Sequence, residues 1–147
     1  MSITLNGSTF TKRDWELIHQ QLTDIEEDRN VLADLPIEPK WTNQSESEFM
    51  KELNEFNRIE SRILGHIEML VDNGYVEGIK VFRGADGSFM TSVVSPRLTM
   101  SGYDLLDTMR SKTLWNTIKS MAKNKGLELS FDVIKILSAA ALKQLVG

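Results

Sequence analysis

Apolar residues fall at helical spacing in several stretches of this chain and change to strand-like patterning in one. Trp15, Ile18, Leu22 and Ile25 line one side of a 3.6-residue period, and Thr11 with Asp14 three positions on can cap its start, so a helix is expected over about 12–28. Pro36 and Pro39 then forbid a continuous helix, which leaves an ordered loop with Leu35, Ile37 and Trp41 expected to tuck against the body. From Ser45 the beat resumes at Phe49, Leu53, Phe56, Ile59, Ile63, Ile67 and Leu70, with Gly74 as the expected left-handed stop. Asn54 and Asn57 are comparatively weak helix formers and suit a turn, so two helices are predicted, about 46–54 and 57–73.

The stretch "VEGIKVFRGADGSFMTSVV" is β-branched and aromatic on both sides of Gly84–Gly87 and predicts a hairpin turning at Asp86-Gly87, with Pro96 expected to end its second strand. In "SPRLTMSGYDLL", Thr99 is placed to cap the next helix, Leu98 to staple against it, and Gly102 to let its first turn lie close against a strand backbone. Leu105, Leu106 and Met109 continue that helix. Trp115, Ile118 and Ala122 carry another after a joint near Ser111–Thr113, and Ser130 caps a last one. The elements make an α+β class, mainly helical, with one β-hairpin.

Four segments, "KRDWELI", "HIEMLVDNGYVEGI", "LTMSGYDLLDTMRSKTLWNTIK" and "LELSFDVIK", together resemble a family of bacterial and prophage-encoded hypothetical proteins known as a domain of unknown function. The spacing of Leu98-Thr99, Gly102, Leu105-Leu106-Asp107, Arg110, Trp115 and Lys119 is its most distinctive part. The resemblance implies a winged-helix-like core with the hairpin as its wing and added C-terminal helices. It brings no activity with it. A single winged-helix-like domain over 1–147 is therefore expected, with the core at about 11–110 and a helical extension at about 111–147.

Charge sharpens the picture when divided along the chain. Residues 1–75 hold 7 Lys/Arg against 15 Asp/Glu, a net of −8, whereas residues 76–147 hold 10 against 6, a net of +4. Such asymmetry marks either an anionic partner for the basic half or two faces that attract each other. If 57–73 entered a major groove, its outer face would present Ser61, Leu64, Gly65, Glu68 and Asp72, with only Arg58 and Arg62 basic on one flank. Carboxylates there oppose DNA, because non-specific affinity comes mostly from Lys and Arg displacing counterions. Lys80, Arg83 and Arg97 on or beside the hairpin, with Arg110, Lys112, Lys119, Lys123 and Lys125 after it, form the better anion surface.

Catalytic chemistry finds little support. The chain has no cysteine and only His19 and His66. His66, one turn from Ile63 and Leu70, reads as a hydrogen-bonded core residue, and Glu46, Glu48, Glu52, Glu55 and Glu60 as a solvated face. No phosphate loop, dinucleotide fingerprint, zinc-protease or nucleophile-elbow motif occurs. No enzyme activity, cofactor or metal is expected, and the absence of cysteine, signal-like start or long apolar run points to a cytoplasmic protein with no membrane partner.

The last helix is apolar nearly all round. Ile134, Leu137, Ala141 and Leu145 make one stripe, and Ile136, Ala140, Leu142 and Val146 a second that needs a cover. The reading that follows is a non-enzymatic interaction module that acts through protein contacts, as a homodimer or with another protein. Its alternative is a DNA-binding regulator that uses the wing and the basic helices.

Overall fold

The computed structural model describes residues 13–146. The first helix, α1 (Trp15–Glu26), is capped by Asp14, whose carboxylate accepts from the Leu17 N–H; Thr11 lies outside the described residues. Its inner side buries Ile18, Leu22 and Ile25, and Asp28 at φ 61° turns the chain away. The connection that follows departs from expectation. Ile37 is 90% exposed and Trp41 59% exposed, so neither tucks into the body; only Val31 of this segment is buried. Trp41 instead meets Phe49 edge-on, with ring centroids 5.4 Å apart. The loop is held locally: Gln44 accepts from the Thr42 N–H at 2.6 Å and donates to the Lys40 carbonyl at 3.0 Å.

The predicted break at 54–57 is absent. α2 (Glu46–Asp72) is a single helix of 27 residues, about 40 Å long at 1.5 Å per residue. Two asparagines cost only a few tenths of a kcal/mol each in a helix. The unbroken stripe from Phe49 to Leu70 opposes that cost, and a Glu55–Arg58 pair at 2.6 Å bridges the weak point one turn apart. Ser45 caps the start through the Glu48 N–H at 3.1 Å. The end closes as the sequence predicts: Gly74 adopts φ 79°, Tyr75 N–H reaches the Leu70 carbonyl at 2.8 Å, and Gly74 N–H reaches that of Val71 at 3.1 Å.

Strands β1 (Val76–Arg83) and β2 (Phe89–Leu98) form an antiparallel hairpin. Pro96 does not end β2. Between the pairs Glu77↔Arg97 and Ile79↔Val93, one residue of β1 faces three of β2, and the proline sits in that bulge, where its missing N–H leaves no ladder bond unmade. Gly78, at φ 83°, makes the bulge feasible: a Cβ there would lie 1.9 Å from the Ser95 carbonyl oxygen. The face of the hairpin carrying Ile79 and Arg83 turns to α2, and α1 packs against α2 and β2.

The step into α3 (Met100–Arg110) follows the sequence reading. Thr99 Oγ1 accepts from the Gly102 N–H at 3.1 Å and donates to the Gly74 carbonyl at 2.6 Å, while the Thr99 N–H donates to the Tyr75 carbonyl at 3.1 Å. These bonds seat Gly102 directly on the α2–β1 junction.

By contact the chain divides into two compact units, one ending at Gly102 and one starting at Tyr103, inside α3. In the second, Ser111 caps α4 (Lys112–Asn124) and Ser130 caps α5 (Phe131–Val146). The two helices pack together, α4 burying Leu114, Ile118 and Ala122, and α5 burying Phe131, Ile134, Leu137 and Ala141. Gly126 at φ 69° repeats the closure seen at Gly74. The protein is α+β and mainly helical with one two-stranded sheet.

Candidate interaction surfaces

Five of the ten basic residues singled out from sequence, all of them arginines, already answer a carboxylate. Arg58 holds Glu55. Arg62 pairs with Asp14 across the α1–α2 contact, and its hydrogen bond keeps the Asp14 carboxyl below its ordinary value. Arg83 grips Glu68 of α2 with two bonds, at 2.8 and 3.2 Å, and lies 4.7 Å above the Phe89 ring. Arg97 faces Glu77 across the strands at 2.8 Å. Lys80 on β1, with Lys119 and Lys123 one turn apart on α4, are exposed and have no ion-pair partner among the described residues. Arg110 pairs with Asp107, and Lys112 and Lys125 are exposed, so the structure separates the basic set into occupied arginines and lysines without an ion-pair partner among the described residues.

The supposed reading face of α2 is not a surface at its centre. Leu64 is only 2% exposed and Gly65 is buried beside it, while Glu68 is engaged by Arg83. The wheel drawn from sequence placed Leu64 and Gly65 outward because one buried stripe was assumed; residues 63–67 are buried on every side.

His66 is fully buried, as its neighbours implied. Its Nε2 accepts from the Asp14 N–H at 2.9 Å and its Nδ1 donates to the Arg62 carbonyl at 2.7 Å. Burial pushes the imidazole below its ordinary 6.5, with Arg62 adding to the effect and the backbone bond and Asp14 opposing it.

Sequence reading missed the outer face of the hairpin. Phe82 pairs with Met90 and Lys80 with Ser92, and Val94 follows on the same side; Phe82, Met90 and Val94 are exposed. A groove of about 490 Å³ runs along this face, lined by Val71, Val76, Phe82 and Val94 with Lys80 and Glu77. Phe82, Met90 and Val94 were visible as apolar residues, but it took the register to put both strands' members on one side.

On α5 the second stripe is bare. Ile136 is 70% and Val146 84% exposed, and Ala140 and Leu142 are exposed with them. Leu145, expected on the core stripe, is also half-exposed at the helix end.

The model of the hypothetical protein family DUF2513 matches residues 12–128. The chain belongs to the DUF2513 family. It is also 30% identical over 139 residues to an uncharacterized protein of Haemophilus influenzae, an alignment that covers 92% of this chain and 99% of that one. No solved structure matches it. Among the described residues of this DUF2513 member, no helix is long and apolar enough to cross a membrane.

Proposed function

We propose that this DUF2513 protein is a non-catalytic interaction module that assembles with a second copy of itself through α5. One observation carries the reading: Ile136, Ala140, Leu142 and Val146 are left in water on the side of α5 away from its buried stripe. A helix bare along its length is costly for a monomer, and a two-fold contact between identical helices covers both at once. The hairpin, read as a winged-helix wing, supplies a second apolar face for another protein. Occupied arginines and a buried α2 centre support protein over nucleic acid as the partner. The mass of the protein by light scattering during size exclusion tests this. A dimer that Leu142→Glu dissociates is expected; a monomer throughout the micromolar range overturns it.

A DNA-binding regulator is the second reading, favoured by exposed lysines without an ion-pair partner among the described residues, Lys80, Lys119 and Lys123 among them. It requires binding to generic duplex that weakens steeply with salt, with a shallower slope after Lys80→Glu.

A further inference from the structure

The bonding of His66 leaves its imidazole a single workable protonation state. A carbonyl oxygen only accepts, so the nitrogen 2.7 Å from the Arg62 carbonyl, Nδ1, must carry a hydrogen. A backbone amide only donates, so the nitrogen 2.9 Å from the Asp14 N, Nε2, must offer a lone pair. Both partners are main-chain groups that cannot reverse their roles. The ring is fully buried, so no water stands ready to take over either bond. A second proton on Nε2 would point at the Asp14 N–H, hydrogen against hydrogen.

That bond joins two elements. Asp14 is the N-cap of α1, and His66 lies 52 residues away in the C-terminal third of α2. The same junction holds the Asp14–Arg62 ion pair. Among the described residues, the charged groups acting on the imidazole are that carboxylate, from the start of α1, and that guanidinium, one turn earlier on α2. Because the two neutralise each other, neither provides a net charge to shelter an imidazolium in place.

We propose that His66 is a proton-operated latch: neutral, it ties the start of α1 to α2, and doubly protonated it must release it. Acid therefore frees the Asp14 end of α1, while the rest of the first unit stays folded on Leu70, Val76 and Ile79, which are buried at the α2–β1 end. The latch makes the α1–α2 contact pH-dependent in a way that the buried Gln21–Ile63 bond across the same contact, which has no titrating group, does not.

The test follows two backbone amides and one side chain in the full chain by NMR as pH is lowered from 8 to 5. The Asp14 amide reports the latch. The Tyr75 amide, bonded to the Leu70 carbonyl, reports the α2–β1 junction. If one proton opens the latch, then once the pH is below the ordinary imidazole value of 6.5 each further unit fall multiplies the open population about tenfold until the open form predominates. The protection of Asp14 against hydrogen exchange then falls about tenfold per unit below that value, the His66 ring nitrogens change from one protonated to two where the open form comes to predominate, and Tyr75 keeps its protection. In His66→Gln, whose amide oxygen accepts from Asp14 without titrating, Asp14 protection becomes independent of pH. Three results overturn the proposal: Asp14 protection that stays flat while His66 becomes doubly protonated, loss of Asp14 and Tyr75 protection together, or His66 remaining singly protonated until the whole protein unfolds. The wild-type comparison of the two amides decides the matter even if the glutamine variant does not fold.

Discussion

Replacing Gly102 by alanine would place a methyl carbon 2.1 Å from the Tyr75 carbonyl oxygen and 3.3 Å from Leu98 Cβ. The first distance is more than about 1 Å inside ordinary contact, and both groups it presses on are fixed, one being backbone. The chain at Thr99–Gly102 must back away from the α2–β1 junction. That movement strains the two bonds that seat it, Thr99 Oγ1 to the Gly74 carbonyl at 2.6 Å and Thr99 N–H to the Tyr75 carbonyl at 3.1 Å. Overpacking of this kind costs about 1–3 kcal/mol, and each hydrogen bond contributes about 0.5–1.5 kcal/mol. Alanine returns about 1 kcal/mol through its better helix propensity. The net is a loss of about 3 kcal/mol, which for a chain of this length lowers the melting temperature by roughly 10 °C. Urea and thermal unfolding followed by circular dichroism measure it, with Ser101→Ala, at the exposed neighbour, as the control. If Gly102→Ala melts within about 1 °C of wild type, the close seating of Gly102 on the junction is wrong.

Gly78→Ala should destabilise more, since a Cβ would meet the Ser95 carbonyl at 1.9 Å and the backbone holds φ 83°; unchanged urea stability would contradict the bulge. For His66, the folded state holds the imidazole below 6.5, so the unfolded chain binds the extra proton first. Stability is therefore complete above the unfolded value and declines as pH falls below about 6.5, a decline that His66→Gln should remove from urea midpoints measured between pH 7.5 and 5.5. Ser45→Ala removes the cap of α2 and should cost about 1 kcal/mol in the same assay, with no effect on the solution mass. Gln21 is buried with its amide oxygen unpartnered while its nitrogen donates to the Ile63 carbonyl, so Gln21→Met should be neutral or stabilising; a loss above about 2 kcal/mol would show that the amide is fully satisfied.

What could be read from sequence was what short-range geometry decides. Gly74 closes α2 through bonds to residues three to five positions away, and Thr99 and Ser130 cap helices within three, so each was visible in a few consecutive residues. The continuity of α2 was not, because it sets small propensity costs at Asn54 and Asn57 against a stripe that runs from Phe49 to Leu70 and one side-chain pair. Pro96 misled for a related reason: its place in the strand depends on Gly78, eighteen positions earlier in the chain, facing it across the bulge. The basic surface shrank because the partners of Arg62, Arg83 and Arg97 lie 48, 15 and 20 residues away, beyond any local pattern. Ile37 and Trp41 show the reverse error, in which apolarity was taken for burial. The α5 stripes were separated correctly by the wheel except at Leu145, where the helix reaches its last turn.

The claim that the bare side of α5 is a self-association surface is tested most directly by light scattering coupled to size exclusion, on wild type and Leu142→Glu together. The monomer mass is 16.7 kDa. The account predicts twice that mass for wild type at micromolar concentration, and monomer for the variant with its helical content unchanged, because Leu142 is exposed and the buried stripe of Ile134, Leu137 and Ala141 is untouched. Wild type eluting as a monomer at every concentration in that range, or a dimer indifferent to the charge at position 142, would contradict it.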